Sequence, residues 1–475
     1  MLDVLVVNPP PSREVYGMLN ELAAIQPPVW AGLIAEYVRR TGLSVEILDA
    51  EHLSAGMTAA EILERHARLT VFCVFGHQPS ASTQCMPGAI AVCTEAKNIA
   101  NDQGLRLPTM VIGTHAAALP GSLKGYFDFV CKGEGPREVI DALNGQLRPQ
   151  GLIQDLDSEL PTQAWDLFDM KKYRAHNWHL WTGDSRGGYA SVQTSLGCPF
   201  KCSFCCINAP FAAEAPRLRK WSPKNVVGQI KHLHEKYGIT NIKIPDEMFV
   251  LDRNHVRGIC QGIIDDGLTD LNMWAYARVD TVKDKELLDL MAKAGFKWLG
   301  IGVESGSKHV RDGVEKGRFG NEQIHESIDR VRKAGINVAA NYIFGLPDDT
   351  HESMQATLDL AESLNTEYAN FYCAMAYPGS QLHKEARLKG WKLPEDGPGW
   401  IGYSQHAYES LPLRTEELSY EEVLDFRDEA FMHYFTRPDY IGMMKRQFGE
   451  GVVSEIERMV SYGKPRRKHR DKETK

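Results

Sequence analysis

The sequence predicts an α/β protein made of two successive units of helix-covered parallel sheet, the second curled into a partial barrel, followed by a helical region. Short runs of β-branched and aromatic residues, apolar on consecutive positions as strands buried on both faces must be, recur along the chain. Stretches of helical period separate them, and glycines punctuate many of the helix ends. At 475 residues and 43 % apolar content, the chain is long enough for two packed cores and an appendage.

In residues 1–147 the apolar runs are Val4–Val7, Val45–Leu48, Val71–Phe75, Met110–Ile112 and Phe127–Val130. Helix-length stretches such as Val29–Arg40, Ala59–Arg68 and Ala89–Asn101 lie between them. This is the pattern of a Rossmann-like parallel sheet, whose ligands bind beyond the carboxyl ends of the strands. Turn-forming residues follow these runs: Asn8-Pro9-Pro10, Gly76-His77, Gly113-Thr114-His115 and Gly133-Glu134-Gly135. Residues 148–186 show no sustained periodicity and read as a linker.

Residues 187–385 resume the alternation, with strands at Ala190–Gln193, Asn241–Ile244, Met273–Ala277, Trp298–Val303, Val338–Phe344 and Ala369–Met375. Ser222 and Pro223 open a helix with the apolar stripe Val226, Ile230, Leu233 and Tyr237, which Gly238 stops. Such repeats predict a partial (β/α)6 barrel of TIM type, with catalytic groups at the carboxyl ends of the strands. Residues 386–475 read as a helical region, with a capping box at Ser419 and Glu422, and the basic run Lys464–Arg470 as a disordered tail.

A formal charge of −8, from 62 acidic and 54 basic side chains, gives no electrostatic reason to bind nucleic acid. Nothing approaches the roughly 20 apolar residues of a membrane span. The expectation is a soluble, cytoplasmic protein. Its ten cysteines are then no disulfide framework, and four of them fall between Cys198 and Cys206.

Cys198, Cys202 and Cys205 closely follow the first barrel strand, so three thiolates converge from one loop at the barrel mouth. Thiolates are the usual ligands of iron–sulfur clusters, and three of them leave one iron of a cubane open. Zinc is the structural rival, but tetrahedral zinc patterns pair two short spacings and no second Cys/His pair lies nearby. Cys206 reads as a packed neighbour. His232 and His234, on a helix expected to be exposed, read as surface residues rather than ligands.

The pattern C-x-x-x-C-x-x-C, with Phe204 just before the third cysteine, resembles the signature of the radical S-adenosylmethionine superfamily. The resemblance runs from Tyr189 to about Leu382. It implies a 4Fe-4S cluster on Cys198, Cys202 and Cys205, with S-adenosylmethionine chelating the fourth iron and a low-potential donor of flavodoxin or ferredoxin type supplying the electron. Asp246 and Glu247 follow the second barrel strand, Arg278 and Asp280 the third, Glu304 and Ser305 the fourth. The resemblance implies contacts to S-adenosylmethionine from Phe204, Asp246, Glu247, Arg278, Glu304 and Ser305, with Arg278 at its carboxylate.

The first unit is similar to the cobalamin-binding domain that precedes the barrel in the cobalamin-dependent branch. The resembling residues are Asn8-Pro9-Pro10, Pro27-Pro28-Val29-Trp30-Ala31-Gly32-Leu33, Gly113-Thr114-His115 and Gly133-Glu134-Gly135. This implies cobalamin contacts from Asn8, Pro9, Pro10, Gly76, Gly113, His115, Gly133, Glu134 and Gly135. The D-x-H-x-x-G pattern that supplies a histidine to cobalt in other cobalamin domains is missing from this unit, so such a cobalamin is expected to lack histidine ligation.

The resemblance points to methylation of an unactivated carbon or phosphorus of a small molecule. The alternatives within the same chemistry are radical cyclisation or rearrangement, then tRNA methylthiolation; a non-catalytic cobalamin sensor is the non-enzymatic one. Trp181, Phe211, Trp221, Phe249, Tyr342 and Tyr372 are candidate cavity residues, and Trp391, Trp400 and Tyr403 a candidate lid.

Overall fold

The computed structural model describes residues 1–10, 15, 21–76, 80–182, 185–211 and 217–462. His77 and the basic run Lys464–Arg470 lie outside them. The first sheet is parallel throughout, in the order β2-β1-β3-β4-β5, from β1 (Val4–Asn8), β2 (Val45–Asp49), β3 (Leu69–Cys73), β4 (Thr109–Ile112) and β5 (Phe129–Val130). Helices on both faces leave β1, β3 and β4 almost wholly buried, which is why these strands are apolar on consecutive positions. β3 begins and ends two residues earlier than its apolar run suggests, because its register starts at Val4↔Leu69. Val74 and Phe75, past the strand end, are thereby released towards the ligand edge.

The second sheet has six parallel strands in the order β13-β12-β11-β10-β9-β6. They are β6 (Tyr189–Ser191), β9 (Asn241–Lys243), β10 (Asn272–Arg278), β11 (Phe296–Glu304), β12 (Asn337–Phe344) and β13 (Tyr368–Cys373). A short antiparallel hairpin, β7 (Ser195–Leu196) with β8 (Arg219–Lys220), brackets the cysteine loop and carries no sequence signal. The architecture is therefore a Rossmann-like sheet, a partial parallel barrel and a helical carboxyl region. In β13 the half-buried residues are Tyr368, Asn370 and Tyr372, every second position, and in β12 Asn341 and Ile343 follow the same rule. These residues line a hollow, so the barrel interior is a cavity where a closed barrel would be packed solid.

Helix punctuation follows the sequence. The Ser222 hydroxyl accepts from Asn225 N at 3.2 Å, Pro223 takes the first turn and Gly238 ends the helix in the left-handed region. Ser419 and Glu422 close a reciprocal capping box, with Ser419 N donating to Glu422 at 2.8 Å. Residues 420–461 form three helices against the open edge of the barrel. Among the described residues no helix is long and apolar enough to cross a membrane.

The segment without periodicity packs between the sheets. Trp165, Phe168, Tyr173, Trp178 and Trp181 are all buried in one core with both units. Trp178 meets Trp298 and Trp274 at ring-centroid distances of 4.7 and 5.3 Å, and Gln163 donates to Ser191 O of β6 at 3.0 Å. Aromatic contact holds the stretch in place with little regular hydrogen bonding of its own.

Candidate functional site

The cysteine loop leaves β7 through Gly197, whose φ of +86° and a would-be Cβ only 2.5 Å from Arg217 O admit glycine alone. Asp246, three residues past β9 and fully buried, fixes the loop's entry. Its carboxylate accepts from Thr194 N at 2.8 Å, Thr194 Oγ1 at 2.6 Å and Ser195 Oγ at 2.5 Å. Farther along, Ser203 N donates to Val314 O at 3.1 Å and Leu382 N to Ser203 O at 2.8 Å. The loop is thus tied to three separate parts of the barrel mouth.

Cys198 is buried, Cys202 half-buried and Cys205 exposed, and Cys205 lines the barrel cavity. Burial pushes the Cys198 thiol up to about 11 and the Cys205 thiol well above its usual range. For Cys202 burial also raises the thiol, against the nearby cations of Lys316 and Arg278. Arg278 Nη1 stands 3.9 Å from Cys202 Sγ, with its guanidinium 3.9 Å above the Phe200 ring. Among the described residues no three His, Cys, Asp or Glu side chains close on a point where one ion would sit. Three thiols spread over one loop suit a polynuclear cluster, which is larger than an ion and takes one thiolate per iron.

Glu304 ends β11 at a φ of +69°, just past a register shift against β12. That conformation is costly for a residue with a Cβ and turns the carboxylate onto Lys316 Nζ at 2.5 Å, both side chains being buried. Ser305 is also fully buried, and its hydroxyl pairs with Thr357 Oγ1 at 3.1 Å.

The cavity, about 500 Å³, runs through the barrel from Cys205, Phe204 and Glu304 past Tyr276, Asn341 and Tyr372. Gln26, Ile207 and Glu247 line it and also a narrow second cleft of about 90 Å³ at the carboxyl edge of the first sheet. There Asn8, Pro9, Gly76 and Thr114 meet Gly197 and Phe211, and Trp30 stacks on Phe75 at 4.4 Å and 11°. Among the described residues no histidine lines this cleft.

Residues 192–361 match the model of the Radical SAM superfamily. These residues form a radical SAM domain. The chain is 26 % identical over 463 residues to the uncharacterized methyltransferase PH0819 of Pyrococcus horikoshii, covering 92 % of this chain and 93 % of that one. It is 24 % identical over 481 residues to the anaerobic magnesium-protoporphyrin IX monomethyl ester cyclase of Cereibacter sphaeroides, covering 91 % and 73 %. Its fold is shared, at a TM-score of 0.61 and 19 % identity over 82 % of this chain and 75 % of the other, with the methyltransferase TsrM of Kitasatospora setae, solved with cobalamin and a [4Fe-4S] cluster.

Within the radical SAM domain Phe204, Glu247 and Glu304 face the main cavity, Arg278 stands at Cys202, and Asp246 and Ser305 are engaged inside the scaffold. In the first unit Asn8, Pro9 and Gly76 line the cleft, whereas Pro10 is buried beside it. Gly113, Gly133 and Gly135 shape turns; a Cβ on Gly113 would fall 2.1 Å from Val74 O. Glu134, also buried, pairs with Arg219 of β8 and accepts from Ile153 N at 2.7 Å, so it joins the two units. Trp400 and Tyr403 form no free lid: both are buried, and Trp400 packs on His115 at 4.2 Å. Of the six candidate cavity aromatics, Tyr372 lines the barrel cavity and Phe211 the cleft, while Trp181, Trp221, Phe249 and Tyr342 are packed in the core.

His115 is fully buried, and burial lowers its imidazole from 6.5 to about 3. Its folded pKa lies below the unfolded one, so its stability contribution is complete above pH 6.5 and is lost as pH falls towards 3. The expected loss from this group at pH 5 is roughly 2 kcal/mol. Urea midpoints of the apo chain between pH 7.5 and 5 measure it, and His115→Gln removes that share of the slope.

Two contributors escaped the sequence reading. Lys243, at the end of β9, is 3 % exposed and donates to Gln26 Oε1 at 3.2 Å beneath the Trp274 ring, 4.9 Å away. Lys316 is the partner of Glu304. A lysine at a strand end ordinarily signals solvent, and only the packing of distant segments shows otherwise.

Proposed function

We propose that this radical SAM protein cleaves S-adenosylmethionine reductively and, with cobalamin, methylates an unactivated carbon or phosphorus of a small molecule. The observation that carries the reading is the shared wall: Gln26, Ile207 and Glu247 bound both the cleft at the first sheet's edge and the cavity that reaches Cys205. Cys198, Cys202 and Cys205 would hold the cluster. Arg278, Glu304 and Phe204 would meet S-adenosylmethionine, and Asn8, Pro9 and Gly76, beside the Trp30–Phe75 stack, would meet the corrin. When bound, the cluster supplies the electron that splits the sulfonium and the corrinoid supplies the methyl carrier.

The protein's own part is positioning. Asp246 sets the loop's entry, Arg278 places a positive charge at Cys202, and the largely apolar walls of the barrel cavity limit water around a reactive radical. Methylation is favoured by the names of the relatives in Pyrococcus and Kitasatospora. A low-potential donor of flavodoxin or ferredoxin type and a cytoplasmic setting, in which ten thiols stay reduced, complete the reading.

The test is anaerobic. Protein reconstituted with iron, sulfide and cobalamin receives S-adenosylmethionine and a low-potential reductant, and mass spectrometry quantifies the products. The expected products are 5′-deoxyadenosine and S-adenosylhomocysteine together. Deoxyadenosine alone would favour cyclisation, the activity for which the Cereibacter relative is named; neither product from a fully loaded protein would defeat the enzyme reading.

A further inference from the structure

The main cavity holds a buried lysine with no carboxylate in ion-pair contact among the described residues. Lys243 is 3 % exposed; among the described residues its ammonium has one hydrogen bond, to the neutral amide of Gln26, and no ion pair within 4.0 Å. A lysine ammonium has three donors, and burying it unpaired is costly unless something answers the charge. The faces of Trp274 and Tyr276, at 4.9 and 5.7 Å, answer it in part. Glu247, on the same cavity wall, acts on the ammonium through space and stands beyond ion-pair distance. Burial pulls Lys243 down to about 7, against the nearby carboxyl of Glu247, which raises it. Arg427, the other cation in this cavity, is already matched by Asp428 at 2.8 Å.

The remaining walls define the rest of the ligand. Trp274, Tyr276, Tyr372 and Phe371 offer aromatic surface, and Asn341 and Asn370, joined at 2.8 Å, offer amide groups. A single buried ammonium suits a single negative charge, so a dianionic phosphate would bring excess charge into the barrel.

We propose that the substrate is a flat, largely apolar carboxylate and that Lys243, with Gln26, binds its carboxylate group. This rests on the reading of the barrel cavity as the substrate site. Lys243 is then a specificity residue, since a site built around a buried charge rejects the neutral isostere.

Equilibrium dialysis of the reconstituted holoprotein with naphthalene-2-carboxylate, naphthalene-2-carboxamide and 2-naphthyl phosphate tests the proposal. The carboxylate is expected to bind about 10-fold tighter than the amide and tighter than the phosphate. The acid-to-amide ratio should fall to near one in Lys243→Met and in Lys243→Gln, the latter keeping a donor should the former not fold. Equal binding of acid and amide, a preference that survives both variants, tighter binding of the phosphate, or no binding of the acid at millimolar concentration would overturn it. Wild-type cleavage of S-adenosylmethionine, assayed without probe, reports separately on the radical reading. Its absence alongside a clear acid preference would remove that reading and leave this one standing.

Discussion

Cys202→Ala is expected to reduce deoxyadenosine formation to the level of a protein-free control and to lower iron and sulfide content below that of the wild type. The loop is tied at Asp246, Val314 and Leu382, so its backbone persists when one thiol is removed. What disappears is a ligand, and two thiolates cannot hold three irons of a cubane. Cys206→Ala is the informative control. Cys206 is buried at 4 % exposure beside the triplet, and its thiol is pushed up to about 12 by burial. Its removal should leave iron stoichiometry and product formation intact and cost on the order of 1 kcal/mol of packing. Iron loss in Cys206→Ala equal to that in Cys202→Ala would mean that the triplet is assigned to the wrong cysteines.

The second large effect lies far from the chemistry. Arg219 and Glu134 are exposed by only 5 % and 4 % of their side chains and pair across the two units. Arg219 also stacks on Phe211, at 5.2 Å, and Glu134 accepts from Ile153 N. Arg219→Met strands a buried carboxylate and should cost about 3–5 kcal/mol. Arg219→Met with Glu134→Gln removes the charge as well and should recover much of that loss. Urea denaturation of the four proteins of this cycle gives the coupling directly. A single-variant loss below about 1 kcal/mol would show that the pair is solvated.

Much of this architecture was legible because it is local. Val4–Val7 and Met110–Ile112 read as doubly buried strands, Ser222-Pro223 and Gly238 bracket their helix, and the cysteine loop carries its own spacing. Asn8, Pro9 and Gly76 stand out because they follow strands to the carboxyl edge, where open sheets place their ligands, whereas Phe204 and Glu304 are singled out by resemblance to the radical SAM signature and its strand ends. What stayed hidden depends on contacts distant in the chain. Lys243 is buried because Gln26, 217 positions away, and Trp274 close over it. Residues 148–186 read as a linker for want of period, although Trp165, Tyr173, Trp178 and Trp181 within them are the signal of a packed segment. Glu134 read as a cofactor residue because its Gly-Glu-Gly setting is visible in the sequence, whereas Arg219 on an unforeseen hairpin is not.

The Glu134–Arg219 pair also bears on how separable the two halves are. A fragment ending at residue 147 would retain every strand of the first sheet. It would lose the guanidinium that answers Glu134, the Phe211 ring beside Trp30, and the Gln163 side chain against Gly32. The first unit is therefore not a cassette that can be moved between proteins: its polar core is finished by side chains translated later, and its final form waits on the synthesis of the barrel.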